Sequence, residues 1–457
     1  MNYYVISPNI FNDGNNYADE MYSKHIAAVG WDVNSTKGMQ FKSIQTGDCI
    51  IVAKRTNWNW EYYFMGVVVG EEETPSCGTL SKKLSPIVKL DNNCDLKFDM
   101  WSSNGSNQIP SPQRIDNNKG DNHSIIKQIN FYINMEEYKK LLTSNHNIIL
   151  TGAPGTGKTY LAKQIAAQMI LGKEYDEKVA SEKEKMEEQC GFVQFHPSYD
   201  YTDFVEGLRP IDDGKGNVSF RREDGIFMDF CRRALKAYNN ATDEEKAPKY
   251  VFVIDEINRG ELSKIFGELF FCIDPGYRGE AGKVKTQYNN LWKKDKFGDS
   301  DFFFIPKNVY IIGTMNDIDR SVESMDFAMR RRFAFKEVKA KDNMEMLKAN
   351  EALAPFYDKI KERMNNLNLC ILTIQGFTTA YQIGASYFLK MTNYLVDGKV
   401  EDQSWMNLWE NHLYGLLFEY LRGLPNAEDD LKKLHRAYNM DDKYICENGI
   451  VKKVAYE

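Results

Sequence analysis

Over roughly the first hundred positions, apolar and β-branched residues come in short runs. Tyr3-Tyr4-Val5-Ile6, Asp48-Cys49-Ile50-Ile51-Val52-Ala53 and Tyr62-Tyr63-Phe64-Met65-Gly66-Val67-Val68-Val69-Gly70 are each bounded by Gly, Asn or charged residues. Runs of that length closed by turn formers predict strands, so residues 1–115 are expected to form a small β-rich barrel. From about 95 to 130 the chain turns polar and rich in Ser, Asn, Asp and Gly, which predicts a domain boundary with few apolar contacts across it. A helix is expected around Met135 to Leu142, completing a lead-in over residues 116–144. The pattern then changes. Ile148-Ile149-Leu150 is a short apolar run, Tyr160 to Leu171 has helical spacing, and Phe192 to His196 is strand-like. Tyr250-Val251-Phe252-Val253-Ile254 and Asn308-Val309-Tyr310-Ile311-Ile312-Gly313-Thr314 are continuous apolar runs of the kind found in buried parallel strands. Residues 145–340 therefore read as an α/β domain and residues 341–457, mainly helical with Leu416 to Arg422 as a clear apolar piece, as a helical lid.

Composition adds limits. The chain has 457 residues, enough for two or three domains, and its 42% hydrophobic and 27% charged residues describe an ordinary globular protein. No apolar run approaches the roughly 18 residues of a membrane helix and no basic-then-apolar leader opens the chain, so a cytoplasmic protein without a membrane partner is expected. Eight scattered cysteines (Cys49, Cys77, Cys94, Cys190, Cys231, Cys272, Cys370 and Cys446) lack the close pairing of a zinc site and are read as free thiols. A net charge of −7 argues against a uniformly basic nucleic-acid binder but leaves room for a local basic face. The acidic stretch at 173–189 is read as a solvated helix or an insertion.

The apolar run at 148–150 enters Thr151-Gly152-Ala153-Pro154-Gly155-Thr156-Gly157-Lys158-Thr159, which fits G-x-x-x-x-G-K-[ST]. In such a loop, backbone N–H groups surround phosphate oxygens, the lysine adds charge and the hydroxyl reaches magnesium. Gly152, Ala153, Pro154, Gly155, Thr156, Gly157, Lys158 and Thr159 are thus the expected nucleotide-binding positions. The run at 250–254 ends in Asp255-Glu256, at the strand end where α/β ligands bind. There Asp255, with Thr159, can hold magnesium and Glu256 can orient or deprotonate an attacking water. Asn316 ends the next buried strand and can polarise the same water. A helix expected over residues 324–329 runs into Arg330-Arg331-Arg332, which reads either as a solvated run or as arginines that reach a neighbouring subunit's γ-phosphate.

These motifs, in this order, resemble those of an AAA+ nucleotidase. Residues 254–269, from Ile254-Asp255-Glu256-Ile257-Asn258-Arg259-Gly260 onward, closely resemble the corresponding region of the McrB family, the GTP-using motor subunits of modification-dependent restriction systems. Met315 to Ser321 matches the family's M-N-T-A-D-R-S except at Asp317 and Ile318. Phe195-His196-Pro197-Ser198-Tyr199, residues 204–210 and residues 326–333 match too, with a weaker extension at Ile383 to Phe388, where Ala385 replaces a more usual His. The resemblance implies an AAA+ P-loop core with a helical lid and a ring, usually a hexamer, with nucleotide between subunits. It also implies a separate McrC-like nuclease partner, GTP (ATP as the alternative) and Mg2+. Glu256, Asn316, Asp319, Arg259, Arg331 and Arg332 would be its catalytic positions, the arginines lying at or across the subunit interface.

The order of pieces in residues 1–115 resembles, loosely, the PUA-like superfold that includes EVE and YTH domains. Trp31, Trp58 and Trp60 lie near its loops and have two readings: a pocket that stacks on an extruded, modified DNA base, or core residues of a small barrel. The expected function is a GTP-driven DNA translocase that reads modified DNA for a partner nuclease. An ATP-dependent protein remodeller and a nucleotide-gated DNA scaffold with negligible turnover are the alternatives, and the intact Asp255-Glu256 pair argues against the last.

Overall fold

The structure, a computed structural model, describes residues 1–9, 15–56, 59–72, 74–75, 77–90, 113–115, 122–212, 218–292, 297–298, 300–318, 327–447 and 449–454. The chain divides into two compact units, Met1–Lys140 and Leu141–Glu457.

In the first unit six strands pair in the order β2-β5-β4-β3-β1-β6: β1 (Tyr3–Ile6), β2 (Ile26–Val29), β3 (Cys49–Thr56), β4 (Asn59–Glu71), β5 (Leu80–Lys89) and β6 (Gln113–Arg114). β1 and β3 are parallel; the other pairs are antiparallel. Side chains of a strand alternate between faces, and here both faces are buried. Ile6, Ile50, Val52, Phe64 and Val68 pack with Met21 and Phe41 from the helices Ala18–Lys24 and Thr36–Lys42. The alternate set, Val5, Cys49, Ile51, Ala53 and Met65, packs with Ile126, Ile129 and Ile133. Among the described residues the pairing stays open, with no β2–β6 contact.

Those three isoleucines belong to a helix that runs Asn122–Asn145 and so starts well before the expected Met135. The polar composition of 122–130 hides an apolar stripe at i, i+3 and i+7, which the sheet face buries. The expected low-contact boundary zone therefore ends before residue 122; most of its remainder lies outside the described residues.

In the second unit five strands, all parallel, run in the order β13-β7-β12-β11-β8: β7 (Asn147–Thr151), β8 (Cys190–Gln194), β11 (Tyr250–Asp255), β12 (Val309–Thr314) and β13 (Ala334–Glu337). Every residue of β11 and β12 is buried, as the uninterrupted apolar runs require. An aromatic cluster of Phe195, Phe204, Phe227, Phe230 and Phe252 fills one side of this sheet. The acidic stretch forms the helix Ala180–Gln189. The aromatic-rich segment after β8 leads into a hairpin of β9 (Glu206–Asp212) and β10 (Val218–Asp224) that the apolar pattern does not announce. Its base is fixed by the fully buried Glu206, which accepts hydrogen bonds from Arg222 Nε at 2.6 Å, Trp292 Nε1 at 2.8 Å and the Tyr288 N–H at 2.8 Å.

From residue 344 onward a separate cluster forms around Ile360, Met364, Leu367, Trp405, Leu408, Leu417, Leu434 and Tyr438. The chain here is helical except for a terminal hairpin, β14 (Lys443–Glu447) and β15 (Ile450–Val454).

Candidate active site

β7 delivers Ile148, Ile149 and Leu150 to the sheet interior and releases the chain at its C-terminal end into the loop 152–157. The loop depends on glycine where φ is positive and space is absent. Gly152 sits at φ +137°, and a Cβ there would meet the Val338 carbonyl oxygen at 2.3 Å. A Cβ on Gly155, at φ +75°, would meet the Tyr387 ring at 2.6 Å. The helix Lys158–Ile170 follows directly, so its N-terminus and the loop N–H groups share one mouth.

Lys158 is buried and folds back over the loop, its Nζ donating to the carbonyls of Gly152 at 3.0 Å and Ala153 at 2.8 Å. Burial pulls its pKa down to about 8 against the opposing pull of Glu256, Asp317 and Asp255. Asp255 is buried at the end of β11, and its Oδ1 accepts from Thr159 Oγ1 at 2.7 Å and from Thr314 Oγ1 at 2.6 Å. A hydroxyl and a carboxylate so close together, below the loop's mouth, are the oxygen donors that magnesium takes alongside phosphate and water. Among the described residues no cluster of three or more His, Cys, Asp or Glu forms a metal cage.

Glu256 occupies the left-handed region at φ 51°, ψ 47°, a costly conformation for a side chain of its size. Three contacts hold it there. Its N–H donates to Thr314 Oγ1 at 3.2 Å, its Oε1 accepts from Asn316 Nδ2 at 2.7 Å, and its Oε2 lies 3.2 Å from Arg259 Nε. Asn316 and Glu256 are therefore brought together as expected from their strand ends. Arg259 pairs with Glu256 of its own chain and is partly exposed.

Sequence reasoning passed over Thr314. Its hydroxyl both donates to Asp255 and accepts from the Glu256 N–H, so it links the two carboxylate residues. Nothing within β12 marks it, since Tyr310 carries a hydroxyl too and the partners of Thr314 are distant in sequence. Asp317, one of the two departures from the resembled pattern, lies near enough to the loop to accept a hydrogen bond from the Gly152 N–H. Burial nevertheless raises its pKa, the nearby Lys158 pulling the other way.

The two neighbouring arginines separate. Arg331 is exposed, and its side chain has no partner among the described residues. Arg332, expected with Arg331 at or across a subunit interface, is buried within its own chain: its Nη1 donates to the Ala328 carbonyl, and its guanidinium sits 4.8 Å from the Phe270 ring centre. The Arg332 carbonyl accepts from Asn147 Nδ2 at 2.9 Å, a contact between residues far apart in sequence that ties the turn before β13 to the start of β7.

Asp319 lies outside the described residues, as does Trp58. Trp60 falls within β4, with its side chain outside the description. Trp31 is 37% exposed just after β2, and Lys37 Nζ stands 4.2 Å from its ring centre, so one ring face is occupied by a cation. Cys94 also falls outside the description, and the seven described cysteines are free thiols. No helix among the described residues is long and apolar enough to cross a membrane.

Residues 147–333 match the family model of the AAA domain, dynein-related subfamily. The chain is 38% identical over 280 residues to the type IV methyl-directed restriction enzyme EcoKMcrB subunit of Escherichia coli, covering 60% of this chain and 53% of that protein. It is 25% identical over 221 residues to the type II restriction enzyme BsuMI component YdiS of Bacillus subtilis, covering 44% of this chain and 59% of that protein. The chain thus spans little more than half the length of these curated relatives. Among solved structures, the Orc1 protein of Aeropyrum pernix in complex with DNA aligns at 12% identity and a TM-score of 0.28, covering 67% of this chain and 75% of that one, a likeness too low to carry detail. Residues 147–333, which carry the all-parallel sheet and the residues gathered at its C-terminal edge, are thus similar to an AAA domain, and the chain is similar over part of its length to a McrB subunit.

Proposed function

We propose that the chain is the motor subunit of a modification-dependent restriction complex, hydrolysing GTP to drive DNA translocation for cleavage by a separate McrC-like nuclease. The observation that carries this reading is the convergence of Lys158, Thr159, Asp255, Glu256 and Asn316 at the ends of β7, β11 and β12, while Arg331 is exposed. In this reading the loop N–H groups and Lys158 bind the phosphates, and Thr159 and Asp255 hold Mg2+. When bound, the ion neutralises charge on the phosphate oxygens. Glu256 accepts the proton of the attacking water, Asn316 fixes the Glu256 carboxylate and that water, and Asp319 adds a further polar group. Arg331 completes the site of an adjacent subunit in a ring, taken to be a hexamer. Residues 1–115 are the reader of a modified base, 116–144 the connection, 145–340 the motor and 341–457 the lid, in a cytoplasmic protein.

The test is hydrolysis of GTP and of ATP by the full chain, alone and with a McrC-like subunit and duplex DNA with or without modified bases. GTP turnover that rises with the partner and DNA is the expected result. Exclusive use of ATP with no response to either would sink the assignment and favour the alternative, an ATP-dependent protein remodeller. Equal affinity for modified and unmodified duplexes would remove the reader role from residues 1–115.

A further inference from the structure

Each carbonyl oxygen of the phosphate loop, from Thr151 to Gly157, is held by a donor of the same chain. Val338 N–H donates to Thr151 at 2.8 Å, Lys158 Nζ to Gly152 and Ala153, and Leu161 N–H to Gly157 at 2.9 Å. The three in the middle are taken from outside the loop and its helix. Gly384 N–H donates to the Pro154 carbonyl at 3.0 Å, Ser386 N–H to that of Gly155 at 3.0 Å, and Asn343 Nδ2 to that of Thr156 at 2.6 Å.

A peptide unit is planar and trans, so its C=O and N–H point in opposite directions. Pinning the carbonyls of 154, 155 and 156 on one side therefore aims the N–H groups of Gly155, Thr156 and Gly157 to the other. Among the described residues those three N–H groups have no acceptor, and converging N–H groups are what an anion-binding nest consists of. The contact has no slack. A Cβ on Gly384 would lie 2.1 Å from the carbonyl atoms of Gly155, and one on Gly157 would meet Met346 Cε at 2.9 Å with Asn343 Nδ2 at 3.5 Å. Asn343 stands between β13 and the helix Glu345–Ala349, and Gly384 and Ser386 lie at the start of the helix Ala385–Leu389. The loop's shape is thus set from the helical side.

We propose that Asn343 is a positioning residue of the nucleotide site. Its amide, with the Gly384 and Ser386 N–H groups, fixes the direction of the loop N–H groups, so phosphate affinity is governed by groups that never touch the nucleotide. Coupling of this kind is reciprocal: a phosphate in the loop favours the docked helical segment as much as the docked segment favours phosphate. The inference rests on reading residues 152–159 as a phosphate loop.

The experiment measures binding of fluorescent GDP, and KM and kcat for the preferred triphosphate, on the full chain carrying Asn343→Leu or Asn343→Asp, with Lys158→Ala as control. Both Asn343 variants remove the donor at similar side-chain size, and Asp keeps the polarity should Leu fold poorly. Loss of one hydrogen bond to the loop is expected to raise the GDP Kd and the KM about tenfold, with kcat and the ligand-free melting temperature nearly unchanged. A purely structural role would lower the melting temperature and leave Kd alone. Kd within twofold of the parent for both variants overturns the proposal, as does a fall in kcat at constant KM. Unchanged GDP binding by Lys158→Ala would instead reject the phosphate-loop reading itself.

Discussion

The two sides of the site are built differently. On the phosphate-loop side the chain braces its own oxygens: loop carbonyls are held, Asp255 accepts two hydroxyls, and Glu256 is braced by Thr314, Asn316 and Arg259. On the arginine side, Arg332 is buried against Phe270 while Arg331 is exposed without a side-chain partner among the described residues. A side that is finished within one chain can bind and orient. An exposed guanidinium only a few residues from the same sheet contributes when something else brings a phosphate to it. The contrast supports the proposed division between residues that act in their own site and one that acts in a neighbour's.

The largest expected effect comes from the arginine side. Arg331→Ala should reduce turnover about 10³-fold, in line with arginines that stabilise transition-state charge, while leaving nucleotide binding intact. Mixing Arg331→Ala chains with Lys158→Ala chains should restore part of the activity, because a good loop then meets a good arginine at some interfaces. A mixture as inactive as its components would mean that Arg331 works within its own chain and would erase the contrast. Arg332→Ala should behave otherwise, lowering the melting temperature through lost packing, with no complementation in mixtures.

On the loop side, Glu256→Gln should lower turnover about 10²-fold, within the range for a positioned acid or base, with GDP affinity unchanged. Retained turnover would remove Glu256 from its role. Thr314→Val comes next. It keeps the shape of the strand but deprives Asp255 and the Glu256 N–H of a partner, which should cost about 1–3 kcal/mol, read as a shift in the denaturant midpoint. A midpoint equal to the parent's would show that the hydroxyl is not needed to hold the carboxylates.

How much of this could be read from the sequence follows from how local each feature is. The phosphate loop and Asp255-Glu256 are continuous stretches whose chemistry depends on immediate neighbours, and both sit at strand ends as expected. The buried strands β11 and β12 were legible because a strand covered on both faces must be apolar throughout. Thr314, Asn343 and the inward turn of Arg332 were not legible, since each depends on partners at least 59 residues away: Asp255, Thr156 and Asn147 respectively. The start of the long helix at Asn122 was missed for a related reason. Its three isoleucines are spaced among polar residues and become a stripe only against the sheet of the first unit. The tryptophans mark the other extreme, where residue type suggests a use but gives no geometry.

The smallest expected effect is one of pH, and it bears on the loop side alone. His146 immediately precedes β7 in the left-handed region at φ 57° and stacks on Tyr310 with ring centres 5.2 Å apart. Burial, reinforced by the Arg278 guanidinium, pushes its pKa from the ordinary imidazole value of 6.5 down to about 4. The folded chain thus resists a proton that the unfolded chain accepts below about pH 6.5. His146 costs nothing above that pH, and stability falls as pH drops from about 6.5 toward 4. The slope is at most about 1 kcal/mol per pH unit once partial exposure is allowed for. Melting curves between pH 7.5 and 5 should therefore slope less in His146→Asn than in the parent, Asn being tolerant of the left-handed backbone. Since His146 lies at the entry to the loop strand, acid should weaken GDP binding more in the parent than in His146→Asn. If GDP binding declines equally in the two, the acid sensitivity lies outside the loop side.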